Sequence, residues 1–201
     1  MMIKNIIFDF GGVLLDWNPR YLYKDYFRDG REMEHFLADV CTPERNSELD
    51  CGFPFAEWVR KYQKMYPEYS EAIALYHTGW PKMLGGLLPD GAALLRDMKS
   101  AGYGIYGLTN WSAETICYAY EAFGDLKPLF DGIIVSGEEK TLKPGPEIYR
   151  ILLDRYSLRP EECVFLDDSR QNVDGAIAVG INGVLYDDIA RVRSELSGLL
   201  K

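Results

Sequence analysis

The chain has 201 residues, 47% of them hydrophobic, and a formal net charge of −9. That length and apolar content suit one substantial core with a small accessory domain, while the acidic balance disfavours a nucleic-acid or anionic-membrane binder, since both need a basic face. Cys41, Cys51, Cys117 and Cys163 make no C-x-x-C pair, no signal-peptide pattern opens the chain and no apolar run spans a bilayer, so the expectation is a soluble, cytoplasmic protein without a zinc site or disulfide framework.

Ile3, Ile6, Ile7 and Phe8 predict a buried strand that ends at Asp9, and Gly11-Gly12 predicts a sharp turn where backbone can approach a ligand. Asn18-Pro19 reads as an N-cap followed by Pro at the first helical position. Tyr21, Leu22, Tyr26 and Phe27 recur at helical spacing up to a break at Gly30, and Met33, Phe36, Leu37 and Val40 continue a second helix. Thr42-Pro43 starts another, with a turn at 50–52. Phe55, Trp58, Val59, Tyr62 and Met65 form an apolar stripe, and a further helix runs from about 70 to 80. Between residues 18 and 82 the pattern contains helices and no strand.

After Gly85-Gly86 helix and strand alternate. A helix over 90–101 stops at Gly102, and a strand over 103–108 runs into Thr109-Asn110. Ser112 reads as the N-cap of the next helix. Strands at 132–135, 163–166 and 182–186 are separated by helices at 146–156 and 171–179, and a helix at 189–200 follows. Such alternation implies right-handed crossovers and a parallel sheet. The reading is an α/β, doubly wound core of residues 1–17 and 83–201, with a small all-helical insert at 18–82. An insert placed there hangs over the carboxyl ends of the strands.

Polar residues stand at three of those ends: Asp9, Thr109-Asn110 and Asp167-Asp168. Three carboxylates gathered on one sheet edge repel one another, and an oxygen-only set without His or Cys favours magnesium over zinc as their partner. Taken alone, Asp167-Asp168 reads equally as turn and capping residues. Lys143 lies in the rigid Lys-Pro-Gly-Pro stretch, where its ammonium can neutralise both a carboxylate and an incoming anion. The Thr109 hydroxyl and the backbone N–H groups of Asn110 and Trp111, near a helix start, suggest an anion site.

Asp9-Phe-Gly-Gly-Val, Leu-Thr109-Asn110, Leu-Lys143-Pro-Gly-Pro and Leu-Asp167-Asp168-Ser-x-x-Asn172 resemble, in order, the four motifs of the haloacid dehalogenase-like hydrolase superfamily. The insert resembles that family's type-one cap. The first and third motifs are most similar to the branch holding bacterial glucose-1-phosphate phosphatase and the N-terminal phosphatase domain of soluble epoxide hydrolase. The resemblance implies a Mg²⁺-dependent phosphatase of a small phosphorylated metabolite, with Asp9 as nucleophile and an aspartyl-phosphate intermediate. It implies phosphoryl binding by Thr109 and the Asn110 amide, charge stabilisation by Lys143, and metal ligation by Asp9, the Gly11 carbonyl and Asp168. Asp167 would be a direct or water-mediated ligand, and Asn172 would support the metal shell.

One position departs from that pattern. Phosphatases of the superfamily usually carry a second Asp two places after the nucleophile, as acid and base, and here Gly11 stands there. A sugar 1-phosphate, with its better leaving group, fits the lack of an acid, and Asp16 offers a substitute just beyond the turn. Haloacid dehalogenases also lack that Asp, which makes carbon–halogen hydrolysis the alternative; they need no metal, however, and tend to place Tyr at this position. A non-catalytic binding module of the same fold is the third reading. Trp17, Arg20, Tyr21, Tyr23 and Arg45 are candidate substrate-selecting residues of the insert, and oligomeric state is open.

Overall fold

The apolar runs of the alternating segment lie side by side in one parallel sheet. A computed structural model describes residues 2–200. Its strands, in chain order, are β1 (Asn5–Phe8), β2 (Leu15–Trp17), β3 (Leu84–Leu87), β4 (Gly104–Thr109), β5 (Gly132–Val135), β6 (Cys163–Asp167) and β7 (Asn182–Leu185). Five of them form the sheet β5-β4-β1-β6-β7, with every neighbouring pair parallel. The chain adds β4 and β5 on one side of β1, then crosses over to add β6 and β7 on the other. The order therefore reverses between β1 and β6, and open α/β sheets bind ligands beyond the strand ends at such a reversal. This is the expected doubly wound, Rossmann-like architecture.

Helices α1 (Arg20–Tyr23), α2 (Gly30–Asp39), α3 (Pro43–Asp50), α4 (Phe55–Met65) and α5 (Ser70–Thr78) lie between β2 and β3. Helices α6 (Pro89–Ser100), α7 (Ile116–Phe123), α8 (Ser136–Glu139), α9 (Pro146–Arg155), α10 (Arg170–Ala178) and α11 (Ile189–Leu199) follow. Period-two alternation divides the sheet's side chains between two layers. Ile7, Leu108, Ile134 and Phe165 pack with Ile148, Tyr149 and Leu152 of α9 and Ala176 of α10. Ile6, Phe8, Ile105, Val164 and Leu166 pack on the opposite face with Leu94 and Leu95 of α6, Ile116 and Phe123 of α7, and Val192 and Leu196 of α11. Both faces are covered, which is why these strands read as continuous apolar runs.

The insert has an aromatic centre in which Tyr23 meets Phe36 at 4.9 Å between ring centroids and Trp58 meets Tyr76 at 5.2 Å. Thr42 caps α3 through its side chain, with Pro43 in the first turn, as the sequence suggested. Several details differ from expectation. Helix α1 is a single turn ending at Tyr23, and Gly30 opens α2 rather than breaking a helix, because the Asp29 carboxylate accepts the Arg31 N–H and starts α2 there. Met65 turns outward, 55% exposed. Ser112 does not cap α7, which begins four residues later at Ile116. The insert also leaves and returns through an unforeseen antiparallel ribbon, β2 with β3, pairing Leu15 with Leu87 and Asp16 with Gly86. All four cysteines are free. No helix among the described residues is long and apolar enough to cross a membrane.

Candidate active site

Sheet register builds the site. Phe8 lies opposite Gly107 of β4 and Leu166 of β6. The next residue on each strand is therefore Asp9, Leu108 or Asp167, side by side at the carboxyl edge, with strands about 4.8 Å apart. The Lys143 ammonium fills the junction: its Nζ lies 2.8 Å from Asp9 Oδ1 and 2.7 Å from Asp167 Oδ2, and donates to the Leu108 carbonyl at 2.9 Å. All three Lys143 protons are thus used, and its side chain is 0% exposed. The ring of Phe165 lies beneath it, 5.2 Å from Nζ to centroid. Asn110 clamps the same residue from outside, donating to the Lys143 carbonyl at 3.0 Å and accepting its backbone N–H at 2.9 Å.

The three acidic side chains differ in what satisfies them. Asp167 is fully buried and takes Lys143, the Ser169 N–H at 2.8 Å and the Asn172 amide at 3.0 and 3.1 Å, so both of its oxygens are occupied. Asp9 uses Oδ1 for Lys143 and for the Phe10 N–H at 2.7 Å; among the described residues Oδ2 has no hydrogen-bond partner. Asp168 takes no ion pair among the described residues, although it offers an oxygen within 4.8 Å of those of Asp9 and Asp167. One ammonium facing three carboxylates leaves an excess of two negative charges. Burial pushes the Asp9 carboxyl up to about 8, against the pull of Lys143 and helped by Asp167. Burial and Asp167 likewise raise Asp168. Burial disfavours the Lys143 ammonium, but Asp9 and Asp167 outweigh it and hold its pKa above the usual lysine range.

The donor set fits a hard divalent cation. Carboxylate oxygens of Asp9 and Asp168 are uncommitted, and the Gly11 carbonyl accepts no hydrogen bond among the described residues. Gly12 lets Asp168 approach: its φ is +69°, and a Cβ built there would overlap the Asp168 carboxylate. Gly11 differs, with no positive φ and nothing within 4 Å of a built Cβ.

Above these groups lies a cleft of about 320 Å³ lined by Asp9, Gly11, Thr109 and Asp168 from the sheet side and by Trp17, Asn46, Leu49, Asp50, Phe55 and Trp80 from the insert side. The Thr109 hydroxyl is buried without a hydrogen-bond partner, a state that costs about 1–3 kcal/mol and marks it as a group awaiting one. Of the donors expected to form an anion site here, the Trp111 N–H is taken by Ser136 Oγ at 2.9 Å, and α7 begins further on.

Of the five insert residues singled out, Trp17 alone lines this cleft. Arg20 forms a bidentate pair with Glu34, Tyr23 donates to the Ala72 carbonyl, and Arg45 donates to the Asp39 and Val40 carbonyls. Tyr21 donates to Asp16 Oδ2 at 2.6 Å, which ties Asp16 into the ribbon, away from the cleft lining. Asp50 was missed by sequence reasoning. The visible signal was its place in the last turn of a helix, where a carboxylate meets the negative end of the dipole.

A family model described as haloacid dehalogenase-like hydrolase matches residues 3–180. The chain is 29% identical over 199 residues to a sesquiterpene phosphatase of Aspergillus oryzae, covering 98% of this chain and 96% of that one. It is 33% identical over 200 residues to (S)-2-haloacid dehalogenase 4A of Burkholderia cepacia, covering 90% and 82%. Its fold matches that of a HAD family enzyme from Bacteroides thetaiotaomicron solved as a magnesium complex, with a TM-score of 0.71, 21% identity and coverage of 96% and 99%. The chain belongs to the haloacid dehalogenase-like hydrolase family.

Proposed function

We propose that this protein is a Mg²⁺-dependent phosphatase that hydrolyses a small phosphate monoester through an aspartyl phosphate on Asp9. The observation that carries this reading is Asp168, a carboxylate held beside Asp9 with no cation of its own among the described residues. Asp9, Asp168 and the Gly11 carbonyl would hold the metal, while Asp167, already saturated, orients Lys143 and Asn172. When bound, the cation supplies charge neutralisation and a template for the phosphoryl group.

Asp9 attacks phosphorus through one carboxylate oxygen while the other would face the cation, and Lys143 and the Phe10 N–H hold the group in place through Oδ1. Lys143 keeps that carboxylate oriented and offsets charge that develops on the phosphoryl oxygens. Thr109 donates its unspent hydroxyl to one of those oxygens. Water then cleaves the acyl phosphate and frees Asp9. Residues 18–82 act as a cap over the core of 1–17 and 83–201, and its aromatic wall selects the substrate. Four free cysteines suit a reducing, cytoplasmic location.

The test is hydrolysis of p-nitrophenyl phosphate with Mg²⁺ and with EDTA, set beside chloride release from 2-chloropropionate. Activity abolished by EDTA, restored by Mg²⁺ and lost in Asp9→Asn is expected. A dehalogenase is the second reading, favoured by Gly11 and by the Burkholderia relative. Chloride release undiminished by EDTA would establish it instead.

A further inference from the structure

Resting on the phosphatase reading, the missing acid at position 11 leaves a chemical gap. An alkoxide cannot leave phosphorus readily unless it is protonated, and general acid help is worth about 10²–10⁴-fold. Gly11 has no side chain, and Asp16 is bonded to Tyr21 outside the cleft. Among the described residues lining the cleft there is no His, Glu, Cys, Tyr or Lys, and the carboxylates are Asp9, Asp168 and Asp50. Asp9 is the nucleophile and Asp168 belongs to the cation. Asp50 remains.

We propose that Asp50, at the end of α3 in the insert, is the general acid and base of this reaction, supplied by the cap in place of the residue absent at Gly11. In an in-line displacement the leaving oxygen departs on the side opposite the nucleophile. Asp9 lines the cleft from the sheet and Asn46, Leu49 and Asp50 line it from the insert, so a phosphoryl group seated on Asp9 has the insert residues as its other neighbours. Neighbouring groups hold the carboxyl in place. The buried Tyr76 hydroxyl donates to Asn46 Oδ1 at 2.8 Å, which fixes the Asn46 amide so that its Nδ2 donates to Asp50 Oδ2 at 2.7 Å. The Asp50 main chain is anchored to the core by Ser136 Oγ, which donates to its carbonyl at 2.6 Å while accepting the Trp111 N–H at 2.9 Å. Burial pushes the Asp50 carboxyl up to about 7, against the attraction of Lys143 and a Ser112 backbone amide. At neutral pH both forms are therefore populated, as one group serving first as acid and then as base requires.

The steps balance. The Asp9 oxygen–phosphorus bond forms, the phosphorus–leaving-oxygen bond breaks, and the Asp50 proton passes to the leaving oxygen to give an alcohol. Water then attacks phosphorus, its proton passes to the Asp50 carboxylate, and the bond to Asp9 breaks with release of phosphate. Both groups return to their starting state. The leaving group need not be activated, so simple alkyl phosphates are substrates as well as sugar 1-phosphates.

The experiment compares ethyl phosphate with p-nitrophenyl phosphate, both with excess Mg²⁺, in the wild type, Asp50→Asn and Gly11→Asp/Asp50→Asn. kcat/KM reports the first transfer step for either ester. Asp50→Asn should lower it about 10²–10⁴-fold for ethyl phosphate and less than about threefold for p-nitrophenyl phosphate, whose leaving group needs no proton. The same variant should release a burst of p-nitrophenol equal to the enzyme present and then slow, because hydrolysis of the aspartyl phosphate lacks its base. The double variant should regain at least tenfold on ethyl phosphate, since Gly11 has open space for a side chain. The wild type alone gives an independent readout: kcat/KM for ethyl phosphate should fall as pH rises above about 7, while that for p-nitrophenyl phosphate should show no such limb. Equal losses on the two esters, no loss on either, or the same pH profile for both would overturn the assignment of Asp50. Inactivity of the wild type on both esters would overturn the phosphatase reading and this assignment with it.

Discussion

Replacing Lys143 by Met tests the electrostatic architecture directly. Met keeps the length and apolar stem of Lys but removes the charge and three hydrogen bonds, to Asp9, Asp167 and the Leu108 carbonyl. Asp167 would remain fully buried with only Asn172 and the Ser169 N–H to satisfy it. Removing one partner of a buried ion pair costs about 3–5 kcal/mol, because an uncompensated charge stays behind. At 2–4 °C per kcal/mol for a chain of this size, the expected fall in Tm without added metal is about 6–20 °C.

The deficit also has a pH signature. Asp9 titrates at about 8 in the folded protein although Lys143 opposes that rise, so its removal drives the value higher. A folded-state pKa above the unfolded value, near 3.8, means that folding favours the protonated form. That stabilisation is complete below the unfolded value and is lost as pH rises through the folded one. Below about pH 8 both proteins fold with Asp9 protonated and lose stability in parallel; above it the wild type ionises Asp9 beside Lys143 and the variant does not, so the deficit of Lys143→Met should be larger at pH 9 than at pH 6. Urea unfolding of both proteins at the two pH values, without Mg²⁺, measures the difference. A deficit below about 1 kcal/mol at pH 9, or one no larger there than at pH 6, would refute the buried-pair argument.

Gly12→Ala should place a methyl group against Asp168 and impose a strained positive φ, weakening Mg²⁺ binding at least tenfold by calorimetry, whereas Gly11→Ala, with open space, should leave it nearly unchanged. Because metal binding requires ionised Asp9 and Asp168, both raised by burial, Mg²⁺ affinity should climb from pH 6 to pH 9 with net proton release. Titration in two buffers of different ionisation enthalpy measures that release.

Asp9, Thr109 and Asp167 were legible in the sequence because buried parallel strands are short apolar runs whose polar ends stand out, and the crossover pattern sends those ends to one edge. Lys143 was legible as a charge on a rigid stretch, though not that three acceptors would use it completely. The β2–β3 ribbon escaped notice because β3 reads Leu-Gly-Gly-Leu, without β-branched or aromatic residues, and β2 has only three residues. Gly11 and Gly12 looked alike in sequence, yet Gly12 carries the positive φ and Gly11 does not. Asn110 read as an anion binder through its backbone N–H, and nothing in the sequence signalled that its side chain would clamp the Lys143 backbone. Asp50 was invisible for a deeper reason: its position depends on Ser136, Asn46 and Tyr76, contacts separated by 86, 4 and 30 residues along the chain.

Local charge, rather than the overall −9, governs what this cleft accepts. At physiological ionic strength exposed charges are screened beyond about 8 Å, so distant acidic residues contribute little. With Asp9, Asp167 and Asp168 all ionised, the carboxylates exceed the ammonium by two charges, and a phosphate dianion meets repulsion until a divalent cation cancels that excess. Mg²⁺ and inorganic phosphate should consequently bind with positive coupling, and linkage requires the same factor in both directions. A coupling of about 1–3 kcal/mol, or 5–150-fold, is expected. Calorimetric titration of phosphate with and without Mg²⁺, then of Mg²⁺ with and without phosphate, closes the cycle. Asp168→Asn should weaken Mg²⁺ binding by removing a ligand, yet strengthen phosphate binding in EDTA by removing a negative charge. Phosphate binding of equal strength with and without Mg²⁺ in the wild type would show that Lys143 and Thr109 suffice for the anion, and that the excess negative charge is not what the cation is there to cancel.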